Sequence, residues 1–240
     1  MLRIHQSAPY FMLVEKILNF VEQIHKKRIV NYLKEKSIKV IIDVGTHKGE
    51  FINCFLEINS VKKIFAFEPQ KKIFEFLKKN FLDNKKVHLN NIAIDINDGK
   101  KEIKINKMSL TSTLNDIDET SFYFKFKNFL MYEKNSVISQ YEINTTSLDN
   151  FFLNESLKDN TLLKIDTEGY EFNVLNGAQK KISEIKYVLI ENQFSKMYKN
   201  NDFKDCHNFL LEKNFELIKK FKFPLFYFED RLYKNKSLSL

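Results

Sequence analysis

The 240-residue chain has no tryptophan, three prolines, five glycines and two cysteines. Cys54 and Cys206 lie far apart and form no CxxC pair. That gives no zinc signal and suits a reducing compartment. No apolar run approaches the roughly 18 residues of a membrane span. Near the start, one short apolar run (Tyr10 to Val14) is stopped by Glu15 and Lys16. It is too short for a signal peptide and no small-residue cleavage site follows, so a cytoplasmic protein is expected. A chain of this length buries roughly three quarters of its unfolded surface and needs no disulfide or metal staple.

Acidic residues are the minority: 31 Asp and Glu face 39 Lys and Arg, a net charge of +8. Such an excess can attract nucleic acid or an anionic membrane. The chain is also rich in Asn, Ile and Phe, residues with A/T-rich codons, so coding bias accounts for the lysines equally well. Residues 1–39 are the densest basic stretch, with eight Lys and Arg against three Glu. A solvated helix face is the ordinary use of such a stretch.

Residues 10–36 carry Leu13, Ile17, Phe20, Val21 and Ile24 at helical spacing, which predicts an amphipathic N-terminal helix. It packs either on its own domain or on a second subunit, and the oligomeric state stays open. Beyond it come short apolar runs at Val40–Val44, Ile64–Phe67, Val87–Leu89, Leu162–Ile165 and Tyr187–Ile190. Unbroken apolar strands of this length suit a mostly parallel sheet covered on both faces. Helical stripes alternate with them: Phe51, Phe55 and Ile58; Ile73, Phe74, Leu77 and Phe81; Phe172, Leu175 and Ile182; Phe203, Phe209, Leu210 and Leu211. The alternation predicts a doubly wound, Rossmann-like α/β domain over 40–240, with 1–39 as a helical extension. Phe215–Phe221 and Phe226–Tyr233 predict two closing strands, antiparallel to each other. Lys101–Ile105 and Val137–Asn144 predict a hairpin inserted at about 100–145. The aromatic-rich loop 107–136 inside it serves as lid, as packing, or as both.

The glycines are few but two of them are well placed. Asp43-Val-Gly45-Thr-His47-Lys-Gly49 follows the first strand and precedes a helix. Glycine permits positive φ and close approach of backbone N–H groups to a ligand. Asp43 can meet an ammonium, directly or through water, and His47 either touches the cofactor's carboxylate end or makes a loop hydrogen bond. Nineteen residues after Gly49, Phe67-Glu68-Pro69 puts an acid at the end of the second strand, where this architecture binds ribose hydroxyls. The dinucleotide fingerprint GxGxxG is absent. A cofactor with a free ribose and no pyrophosphate fits better, and S-adenosylmethionine meets both conditions.

Asp43–Gly49, Phe67-Glu68-Pro69, Asn91–Ile94, Thr146–Asp149, Leu163-Lys-Ile-Asp-Thr-Glu-Gly-Tyr-Glu171, Val174–Ala178 and Ile190-Glu191 together resemble the successive motifs of FkbM-type methyltransferases. Asp230–Tyr233 is similar to that family's last strand. The family commonly has Ala-Asn where this chain has Thr46-His47. The resemblance implies a class I methyltransferase fold with a seven-stranded sheet and an antiparallel C-terminal strand. It also implies S-adenosylmethionine as donor, O-methylation of sugars, glycans or polyketide-like alcohols, and a place for Asn91 to Ala93 near adenine.

Methyl transfer to a hydroxyl needs a base beside the acceptor, and open α/β sheets gather reacting groups at the carboxyl ends of strands. Asp166 is the first candidate, followed by Glu168 and Glu191. Alternation puts Lys164, Asp166 and Glu168 on one side of their strand. Structural readings compete: Glu168 or Glu171 as a helix N-terminal acid, Lys164 paired with Glu191 or Asp166. Thr146 and Asp149 have the spacing of a capping box, and Ser112 in the long loop is a candidate substrate contact. Asp166, Glu191 and Asn192 are also oxygen donors of the kind Mg²⁺ prefers, an arrangement that resembles the catechol O-methyltransferase site, but Gly169 replaces that family's lysine and a metal is not favoured. Two rivals stand beside the small-molecule or glycan O-methyltransferase. One is an RNA or protein methyltransferase on the same fold, disfavoured because the lysines are scattered and no NPPY-like turn is present. The other is a non-catalytic cofactor-binding scaffold.

Overall fold

The structure is a computed structural model that describes residues 8–106, 137–193, 203–224 and 228–238. Strands β1 (Val40–Val44), β2 (Lys63–Phe67), β3 (Val87–Asn90), β7 (Thr161–Ile165), β8 (Tyr187–Gln193), β9 (Phe215–Lys222) and β10 (Phe228–Asn235) form one sheet in the order β3-β2-β1-β7-β8-β10-β9. The first five in that order are mutually parallel, and β10 is antiparallel to both β8 and β9. The strand order reverses between β1 and β7, the point at which doubly wound sheets open a crevice at the strand ends.

Helices cover both faces, as near-continuous apolar strands require. On one side, α2 (Glu50–Leu56) and α3 (Lys71–Phe81) bury Phe51, Phe55, Leu77 and Phe81 against Ile41, Ile64 and Leu189. On the other, α4 (Leu148–Phe151), α5 (Glu171–Asn176) and α6 (Phe203–Glu212) bury Leu148, Val174, Leu175, Phe209 and Leu210 against Ile42, Leu163 and Ile190. A second, three-stranded sheet joins β4 (Ala93–Ile94), β6 (Val137–Thr146) and β5 (Gly99–Asn106). The expected pairing outside the main sheet is therefore present, antiparallel from Gly99↔Thr145 to Asn106↔Val137. Loop 107–136, with Ser112 and its aromatics, lies outside the described residues.

Two expectations are corrected. Helix α1 (Ala8–Lys34) forms, but its buried face is His25, Ile29, Val30 and Leu33, whereas Ile17, Phe20 and Ile24 are exposed. The helix has two apolar stripes, and the more C-terminal one reaches the domain. The cap of α4 is Ser147, whose side chain accepts from the Asn150 N–H, rather than Thr146, whose hydroxyl donates to Asp98. Asp149 instead accepts from the N–H groups of Lys180 and Lys181, tying α4 to the next turn.

Candidate active site

The site is built where β1, β2, β7 and β8 end. After Val44 the chain turns at Gly45 and Gly49, both at φ +81°. A Cβ on Gly45 would lie 1.8 Å from the Asp166 carbonyl oxygen, and one on Gly49 would lie 2.5 Å from the Phe81 ring. Only glycine lets the loop pass so close to the end of β7 and to α3. The turn is stitched to its neighbours: Gly45 and Thr46 donate N–H to the Phe67 carbonyl, and Asp166 donates to Val44.

Glu68 closes this loop from β2. One of its oxygens accepts the His47 N–H at 2.9 Å and the other the Gln70 N–H at 2.8 Å. The residue is buried, and burial pushes its carboxyl up to about 7 despite those two donors and the nearby His47. His47 takes the left-handed conformation at φ 51°, and its ring lies 3.3 Å from Glu50. Burial would raise Glu50, but the His47 ring and Lys26 outweigh it and hold that carboxyl at about 2. Asn91 donates its amide to the carbonyls of Glu68 and Pro69, so it fixes the turn that carries the acid. Ala93 follows on β4, and its side chain is buried with Ile103 and Ile143 in the core of the small sheet.

Asp43 is fully buried, beneath the glycine loop rather than at its surface. Its partner is Lys164, directly across in the β1–β7 register, with Nζ 3.1 Å from Oδ1. Burial pushes the Asp43 carboxyl up and Lys164 opposes it. Burial alone would lower Lys164, but Asp43 and Asp166 hold the ammonium above its ordinary range. Asp166 Oδ2 is 3.4 Å from the same ammonium, and its side chain is 31% exposed against 2% for Lys164 and 0% for Asp43. The three groups therefore step from the interior to the strand end, with Asp166 outermost.

Glu168 and Gly169 both adopt left-handed backbone, at φ 53° and 91°, and bend the chain off β7. A non-glycine residue there is uncommon and marks sites of function or strain. Gln193 donates one amide group to both Glu168 (3.0 Å) and Glu191 (2.8 Å), clamping the two acids together. Burial first, then the charges of Asp166, Glu168 and Asp230, raises Glu191 well above the usual carboxylate range. Glu171 is buried and accepts from the N–H groups of Thr167 and Gly169, so it organises the loop from within.

Sequence reasoning missed Tyr141. Its hydroxyl accepts the Lys71 N–H at 3.2 Å and lies near enough to Glu68 to be influenced by it; burial and then that charge raise the phenol. It is a small-sheet residue placed over the Glu68 turn, and only the fold of the insertion reveals it. As for a metal, no cluster of three or more His, Cys, Asp or Glu able to hold one occurs among the described residues. Glu191 and Asn192 are successive strand residues, so their side chains point to opposite faces and do not converge on one ion.

Two glycines at positive φ, a buried acid at the end of β2 and an open strand-end carboxylate at the sheet's switch point are the fittings of a nucleoside-binding α/β transferase. The sequence matches the model of the Methyltransferase FkbM domain over residues 43–217, and the chain belongs to that family. It is an S-adenosylmethionine-dependent methyltransferase. Among curated proteins it is 23% identical over 195 residues to "2-O-methyltransferase NoeI" of Sinorhizobium fredii (strain NBRC 101917 / NGR234), covering 78% of this chain and 79% of that protein. Its fold is similar to that of magnesium protoporphyrin IX methyltransferase (ChlM) from Synechocystis PCC 6803, with a TM-score of 0.51 at 8% identity, covering 93% and 84% of the two chains. An uncharacterised protein from Listeria monocytogenes serotype 4b gives 0.50 at 6% identity, covering 90% and 68%.

Proposed function

We propose that this methyltransferase acts on a hydroxyl of a sugar, glycan or similar alcohol, with Asp166 as the base that faces the acceptor. One observation carries this reading. Of the carboxylates at the strand ends, Asp166 alone combines solvent access with a buried lysine ammonium at 3.4 Å behind it. Glu191 is raised well above the usual carboxylate range by burial and by the neighbouring charges of Asp166, Glu168 and Asp230, and Gln193 ties it to Glu168, so it is a positioning group beside Asp166. The name of the 23% identical relative, a 2-O-methyltransferase, supports oxygen as the acceptor atom.

S-adenosylmethionine supplies an electrophilic methyl group on a sulfonium. The chain's own groups fit such a ligand: the turn through Gly45 and Gly49 passes close over the end of β7 and the Phe81 ring, and the Glu68 carboxylate beside it would accept from the ribose hydroxyls. Asn91 and Tyr141 hold the turn that presents Glu68. Asp166 would take the acceptor's hydroxyl proton as the methyl group passes from sulfur to oxygen and S-adenosylhomocysteine leaves, and Lys164 would hold the carboxylate in place.

Isothermal titration with S-adenosylhomocysteine and transfer of a labelled methyl group to a panel of glycosides and oligosaccharides test the reading. Asp166→Asn should bind the cofactor product as tightly as the parent and lose at least 100-fold in transfer rate. Labelled RNA or protein in place of labelled glycan would overturn the acceptor class.

A further inference from the structure

Helix α1 carries a second apolar stripe that the fold does not use. Ile17, Phe20 and Ile24 are 53%, 66% and 46% exposed, and their spacing of three and four residues aligns them along one side of the helix. The side that packs on the domain, His25, Ile29 and Leu33, lies roughly 150° away around the axis. Among the described side chains of α1, none before His25 is buried. The N-terminal part of the helix therefore presents its own apolar line to the surroundings, and the C-terminal part does the docking.

Among the described side chains, the exposed charges beside that line are cationic. Lys16, Lys27 and Arg28 are exposed beside it, Arg28 also donating to the Lys222 carbonyl. The acid of this segment that is described, Glu22, is turned toward the domain side and paired with Lys26. The three described side chains expose a patch of about a few hundred Å², whereas a stable dimer takes about 800 Å² from each partner. A nucleic acid would satisfy the cations and leave the Ile and Phe side chains in water. An anionic bilayer satisfies both at once, with the apolar line in the acyl boundary and the cations at the headgroups. No described helix is long and apolar enough to cross a membrane, so this one would lie in the surface.

We propose that the N-terminal part of α1 is an interfacial anchor that lays Ile17, Phe20 and Ile24 into an anionic lipid surface. The inference does not depend on Asp166 or on the acceptor.

The test is flotation of the full-length protein with vesicles of phosphatidylcholine alone and of phosphatidylcholine with phosphatidylglycerol at three to one. Binding is expected to the anionic vesicles, at least tenfold above the neutral ones, and to weaken as salt is raised. Phe20→Glu and Ile17→Glu should each reduce it at least tenfold, and Lys16→Glu with Lys27→Glu should remove the preference for anionic lipid. Circular dichroism and S-adenosylhomocysteine affinity of these variants should match the parent, because the sites are exposed and outside the cofactor elements. Absence of binding to anionic vesicles, or binding indifferent to Phe20→Glu and Ile17→Glu, overturns the proposal. A dimer by light scattering that Phe20→Glu dissociates, without lipid binding, would also overturn it and assign the stripe to a second copy.

Discussion

Asp43 and Lys164 face each other across the β1–β7 register, 3.1 Å apart and both out of contact with solvent. This pair lies under the glycine loop and joins the strand that carries the cofactor turn to the strand that ends in Asp166. Lys164 also lies over the Phe51 ring, 4.7 Å from its centre, so α2 seals it from above. A buried ion pair adds little net stability, but removing one partner strands the other. Lys164→Met should therefore cost about 3–5 kcal/mol in urea unfolding. The double variant Asp43→Asn/Lys164→Met should recover most of that loss, since no lone charge remains inside. A double variant as unstable as the single one would show that the lysine's role is not to balance Asp43.

Gly45 makes a related point by geometry. At φ +81° an alanine pays about 1–2 kcal/mol for the backbone alone. Its Cβ would also meet the Asp166 carbonyl at 1.8 Å, and backbone cannot step aside as a flexible side chain can. Gly45→Ala should push the ends of β1 and β7 apart and displace both the cofactor turn and Asp166. The expected outcome is a lower melting temperature together with loss of S-adenosylhomocysteine binding. Gly99→Ala is the comparison for backbone strain without a clash: its φ is +159° and a Cβ there meets only the Thr145 hydroxyl, at 3.8 Å, so it should lower the melting temperature and leave S-adenosylhomocysteine binding intact.

Much of this arrangement was legible in the residues because local chemistry dictates it. The apolar runs placed the strands to within a few residues, and Gly45, Gly49 and Glu68 were marked by the turn and strand end they occupy. What was not legible depends on register and on tertiary choice. That Asp43 sits against Lys164 in the interior follows from the parallel pairing of β1 with β7, which no local pattern reveals. The place of Ala93 near adenine is what the resemblance implies, and only the fold reveals that its side chain packs in the small core. Tyr141 carried no signal because nothing local links β6 to the Glu68 turn. In α1, two apolar stripes compete, and composition alone does not say which one the domain takes.

Glu68 gives the protein a pH dependence with a definite sign. Its carboxyl titrates at about 7 in the fold, against 4.5 unperturbed. Below 4.5 both folded and unfolded chains hold the proton, and the contribution of this group to stability is fully present. It declines as pH rises through about 7, where the folded carboxyl must ionise in a buried place. The linkage amounts to about 3 kcal/mol, and Glu68→Gln should flatten this part of the stability–pH curve. Ligand binding runs in the opposite direction, because ribose hydroxyls donate best to the ionised form. Affinity for S-adenosylhomocysteine should rise between pH 6 and 8, and the rise should vanish in Glu68→Gln. Calorimetry across that range checks both signs.

Tyr141 tests whether the inserted sheet belongs to the cofactor site. It stands opposite Ile103 in the β5–β6 ladder and packs on the small core of Ala93, Ile103 and Ile143. From there its hydroxyl reaches the Lys71 N–H at the start of α3, beside the turn that holds Glu68. Tyr141→Phe keeps the ring and loses one hydrogen bond, worth about 1 kcal/mol, so S-adenosylhomocysteine affinity should fall about fivefold if the turn loosens. Tyr141→Ala also removes the ring and should weaken binding at least tenfold. If the small sheet is only a structural appendage, both variants will melt earlier while their affinity, measured well below the melting temperature, stays at the parent value.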